Sequence, residues 1–100
     1  DEREECTIHW IVPNAQKNEM EPILLELPTQ GQSHEVAVHE GEEFGYVLSG
    51  RIKLVNLDTG KAYIVKKGQT FYVKGSFSHC LKNDSAQPAR VLWICTPPIF

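Results

Sequence analysis

Four histidines, three cysteines and a cluster of carboxylates near residue 40 are the side chains of this 100-residue chain that could do chemistry. The cysteines offer least. Cys6, Cys80 and Cys95 are odd in number, widely spaced and free of C-x-x-C patterning, so neither a disulfide framework nor a structural zinc site is expected. Cys80 directly follows His79, but adjacent strand residues face opposite sides, which argues against a Cys–His nucleophile pair. His9 lies in a β-branched and aromatic run and reads as an ordinary strand residue. The remaining candidates are His39, beside Glu40, Glu42 and Glu43, and His79 much further along. Two imidazoles and a carboxylate could hold a cationic or hydrogen-bonding metabolite such as an amine, or a divalent ion. They could equally satisfy one another as a buried structural network.

Only a fold can bring such residues together, and the signal along the chain is β throughout. Thr7–Val12 is β-branched and aromatic and ends at Pro13-Asn14. Ile23–Leu27 is bracketed by Pro22 and Pro28, too short a span for a helix of usual length. Phe44–Leu48, Ser49-Gly50 and Arg51–Val55 read as a hairpin about a glycine turn. Tyr63–Val65, Phe71–Val73, Phe77–Leu81 and Val91–Cys95 complete a set of short strands separated by turn residues, the pattern of a sandwich or barrel. Along the Phe44 strand, Glu43, Gly45 and Val47 should face one side and Phe44, Tyr46 and Leu48 the other. Gly45 would then leave room beside Glu43. The large residues Trp10, Tyr46, Tyr63, Phe71, Tyr72, Phe77 and Trp93 read as core or dimer contacts.

Length and charge narrow the function classes. One hundred residues suffice for one core and one domain. Ten basic against thirteen acidic side chains, net −3, leave no basic stripe, so nucleic-acid binding by this domain is not expected. No apolar run is long enough to span a bilayer and no signal peptide opens the chain, so no membrane association and a cytoplasmic location are expected. The opening Asp1-Glu2-Arg3-Glu4-Glu5 reads as a linker over residues 1–5 from an upstream segment, with the globular domain over 6–100.

Two stretches resemble the paired motifs of the cupin superfamily. His39-Glu40-Gly41-Glu42-Glu43 supplies the second histidine and the glutamate of the first motif, with Gly50 at its closing glycine. Gly68, His79 and Asn83 match the second, while Lys74 and Ser76 replace its proline and glycine and Gly75 stands one step early. The resemblance implies an all-β fold, a small single-domain cupin with a jelly-roll-like double-stranded β-helix barrel. His39 through Gly50, the ending from Trp93 to Phe100, and Met20-Glu21-Pro22 with its Leu-rich strand further resemble cupin domains fused behind helix-turn-helix domains in bacterial XRE-type transcriptional regulators.

That likeness favours a sensor domain that binds a small-molecule effector or metal in the barrel, over the alternative of a metal-dependent dioxygenase or isomerase. It also implies contact with DNA through an upstream helix-turn-helix domain, while edge strands and aromatic faces point to a homodimer. In metal-holding cupins the motifs supply three histidines and a glutamate. Here the resemblance places His39, Glu43 and His79 in three of those positions, as ligand-binding or metal-binding residues for zinc, nickel, manganese or iron. Ala37 stands in the fourth. By strand alternation Ala37 should face the same way as His39, and His34 the opposite way unless a bulge intervenes.

Overall fold

A computed structural model describes residues 5–13 and 17–99. Four of the five residues of the expected linker, 1–4, lie outside the described residues, as do Asn14 and Phe100. Glu5, the fifth, exchanges two backbone hydrogen bonds with Gln32, at 3.0 and 3.1 Å.

Eight strands account for the regular structure: β1 (Thr7–Trp10), β2 (Glu21–Leu27), β3 (Glu42–Ser49), β4 (Arg51–Asn56), β5 (Ala62–Lys66), β6 (Thr70–Lys74), β7 (His79–Lys82) and β8 (Ala89–Thr96). They form a five-stranded sheet ordered β1-β2-β8-β3-β6 and a three-stranded sheet ordered β5-β4-β7, every pairing antiparallel. The all-β expectation holds. The alternation of Glu21–Leu27 is regular, with Ile23, Leu25 and Leu27 fully buried and the residues between them only partly so. The β3–β4 hairpin turns at Gly50, whose φ of 73° suits glycine and whose Cβ would strike the Pro88 carbonyl oxygen at 2.5 Å. Strand β1 ends before Val12, and β7 begins at His79 rather than at Phe77.

The inner faces of the two sheets enclose one core that includes Leu25, Val47, Ile52, Phe71, Leu81 and Trp93. Polar contacts at the two ends of β7 tie the layers together. Glu43 of β3 meets His79 of β7, and the Asn83 side chain, just beyond β7, donates to the Leu27 carbonyl of β2 at 3.2 Å. On the outer face of the five-stranded sheet, Leu24, Leu92 and Tyr46 fall in one cross-strand row, and Pro22, Ile94, Phe44 and Tyr72 in the next. Phe44, Tyr46 and Tyr72 are exposed there, so they lie outside the core; Phe44 and Tyr46 do face away from Glu43, as alternation predicted.

The stretch before β3 departs from the strand reading. Among the described residues it forms isolated bridges, Gln32 to Lys82 and Val36 to His79, but no strand, and has no regular alternation.

Candidate functional site

The elements just described deliver Glu43, Trp93 and Cys95 from the five-stranded sheet and His79 from the three-stranded one. Glu43 lies opposite Cys95 of β8 in register, and Glu43, His79, Trp93 and Cys95 are all buried, at 1% exposure or less. His39 arrives from the irregular stretch. Its backbone N–H donates to the Gly75 carbonyl at 2.9 Å, and the Gly75 N–H donates to Gly41 at 3.1 Å. The strands and this clasp bring all three sequence candidates together.

Glu43 is the centre. Its Oε2 accepts from His39 Nε2 at 2.7 Å, and its Oε1 accepts from His79 Nε2 at 2.8 Å and from Trp93 Nε1 at 2.9 Å. The second nitrogen of each imidazole faces a backbone carbonyl, His39 Nδ1 that of Glu40 at 2.8 Å and His79 Nδ1 that of Phe77 at 3.0 Å. A carbonyl can only accept, so His79 presents a hydrogen on both nitrogens when it bonds an ionised Glu43.

The ionisation of both partners agrees with this. Burial works to raise the Glu43 carboxyl, but hydrogen bonds from His79, His39 and Trp93, with the charge of His79, outweigh it and hold Glu43 below its ordinary value. Burial likewise works to lower His79, and the bonds to Glu43 and the Phe77 carbonyl outweigh it and raise the imidazole. Burial foremost, then the charges of Glu43 and Glu21, pushes the Cys95 thiol far up, so it remains protonated beside Glu43.

A pH dependence of stability follows. The lowered Glu43 contributes stability above its unfolded value of 4.5, lost as pH falls through the folded value; the raised His79 contributes below 6.5, lost as pH rises through its folded value. Both contributions are complete between 4.5 and 6.5. Chelator-treated protein should therefore melt at a higher temperature near pH 5.5 than near pH 8.5, and calorimetry at the two values checks this. A melting temperature that climbs steadily to pH 8.5 would contradict the ion pair.

Three side chains behave differently from their sequence reading. His34 does not turn away: without regular alternation, its ring lies over Trp93, with centroids 6.3 Å apart and planes 23° apart. Ala37 is exposed rather than projecting beside Glu43. The room expected beside Gly45 is filled by Phe71, whose ring would lie 2.0 Å from a Cβ there. Sequence reasoning also missed Trp93 and Cys95 as partners of Glu43. Their place on the inward face of β8 was readable, but their register against residue 43 was not.

A cavity of about 240 Å3 opens at this end of the barrel, lined by His34, Glu35, Val36, Ala37, Val38, His39 and Ile99. Of the three candidates only His39 reaches it. The His39 side chain is 16% exposed, while Glu43 and His79 are sealed behind it at 0%. Among the described residues, no group of three or more His, Cys, Asp and Glu side chains is arranged to hold a metal ion.

Known proteins resemble both the sequence and the fold. Residues 23–95 match the family described as cupin domain. The HTH-type transcriptional regulator PuuR of Escherichia coli K12 is 36% identical over 62 residues, 62% of this chain and 32% of the regulator. The chain thus spans about a third of the length of the curated relatives it matches. The crystal structure of a cupin domain of an XRE family transcriptional regulator from Enterobacter cloacae superposes with a TM-score of 0.78 at 20% identity, over 94% of this chain and 98% of that one. A predicted oxalate decarboxylase from Thermotoga maritima gives 0.77 at 18% identity, over 93% and 81%. At such identities the structural likenesses establish the fold alone.

Proposed function

This chain belongs to the cupin domain family, and from that premise we propose that it is the effector-sensing domain of a bacterial transcriptional regulator, with a small hydrogen-bonding metabolite, such as an amine or amino acid, as its effector. The observation that carries the reading is the placement of His39. It faces the cavity at the barrel mouth, and behind it Glu43 bonds both His39 and, across the two layers, His79. A guest that takes the Glu40 carbonyl's place at His39 Nδ1 therefore acts on a group wired to both sheets. A ligand that prefers one arrangement of the layers shifts the population toward it.

The similarity to HTH-type regulators supports the rest of the arrangement. Residues 6–100 form the sensor domain and residues 1–5 the linker, DNA is contacted through an upstream helix-turn-helix domain, and the protein works in the cytoplasm. Among the described residues no helix is long and apolar enough to cross a membrane. The exposed rows around Phe44, Tyr46 and Tyr72 support a homodimer, through which a change in one barrel resets the spacing of two DNA-binding domains. The enzyme alternative asks His39, Glu43 and His79 to ligate an ion, and the donors already bonded to Glu43 weigh against it.

Titration with amines and amino acids during thermal unfolding tests the sensor reading. A true effector at about a hundred times its dissociation constant should add about 2.7 kcal/mol, and His39→Ala should abolish that gain. If no member of these classes stabilises the protein, or if stabilisation survives His39→Ala, the assignment of the effector to this cavity fails.

A further inference from the structure

We infer that Glu43 is not a metal ligand but the anionic hub of a metal-free hydrogen-bond network that fixes His39 in the pose it presents to the cavity. The inference rests on local geometry and stands apart from the sensor reading.

A carboxylate offers about four acceptor sites. Here His79 and Trp93 fill both positions on Oε1, and His39 takes one on Oε2. A ligating oxygen must instead turn a bare lone pair to the ion. The indole N–H is a donor only, so an ion on Oε1 would have Trp93's hydrogen as a neighbour.

The spacing of the same contacts points the same way. Two donors each about 2.1 Å from one ion keep roughly 3.0–3.4 Å from each other at octahedral to tetrahedral angles. The separations here are 2.7 and 2.8 Å, short of that and typical of charge-assisted hydrogen bonds. No ion fits between Glu43 and either imidazole as they stand. The remaining motif position is Ala37, which has no donor atom and is exposed. The first-motif glutamate is kept in this chain, and its work is to hold an imidazole in place.

Chelator-stripped protein titrated calorimetrically with zinc, nickel, manganese or iron(II) chloride should show no stoichiometric binding. In the stripped protein, Glu43→Gln should lower the melting temperature by about 10 °C, because an amide nitrogen then faces donors. A carboxylate that served an ion would behave in the opposite way, since neutralising it relieves the empty site. One-to-one ion binding that Glu43→Gln abolishes, or a melting temperature of stripped Glu43→Gln equal to or above that of the parent, would overturn the proposal. If Glu43→Gln fails to fold, the titration of the parent protein still decides.

Discussion

Replacing Trp93 by alanine should remove about 3–5 kcal/mol of folding stability, the largest loss expected of any single truncation in this domain. Trp93 heads the fully buried side chains by volume and is 0% exposed. Its ring lies against Phe71, with centroids 6.2 Å apart and planes at 73°, and close to His34 and His79. Truncation opens a cavity that these neighbours cannot fill without breaking the polar network, because the same residue donates to Glu43. Small domains are held by about 5–15 kcal/mol in total, so the variant should sit near the edge of folding. Urea unfolding measures the loss. Trp93→Phe keeps most of the ring and deletes the N–H, so the difference between the two variants separates packing from the hydrogen bond. A loss below about 1 kcal/mol for Trp93→Ala would contradict the central packing role assigned to it.

The second large effect is expected at a residue with no side chain. At Gly45 a Cβ would lie 2.0 and 2.2 Å from two atoms of the Phe71 ring, far inside any real contact. That ring is 6% exposed and edge-on to Trp93, so moving it aside gives up its packing against the indole. Gly45→Val should cost about 3 kcal/mol, at the upper end of overpacking penalties. Shortening the opposing side chain should return part of it: the double variant Gly45→Val, Phe71→Leu should be more stable than the sum of its singles. Strict additivity in denaturant unfolding would show that the clash is not the cause.

Much of the fold was legible because a two-residue period in a half-buried strand leaves a direct mark on the chain. Arg51–Val55 alternates as a pleated surface demands, Ile23–Leu27 stands between two prolines, and the glycine at 50 marks the hairpin. The site was legible in its members: His39, Glu43 and His79 do converge. Its surroundings were not. Alternation fails where a segment pairs through single bridges, and that is why Ala37 and His34 exchanged their expected sides. Gly75, one step early in its motif, makes sense only in three dimensions. A Cβ there would lie 2.0 Å from the His39 carbonyl oxygen, so its bareness lets the loop carrying the imidazole close down. The partners Trp93 and Cys95 depend on register between β3 and β8, which periodicity does not encode.

The two ties between the layers have a mechanical consequence. His79 and Asn83 stand at opposite ends of β7, one fastened to β3 through Glu43 and the other to β2 through the Leu27 carbonyl. A strand riveted at both ends cannot slide lengthwise over the opposing layer, so shear along it is blocked. The freedom left to the smaller sheet is a roll about the line of β7, and the rivet through Glu43 is the one that lies directly behind His39.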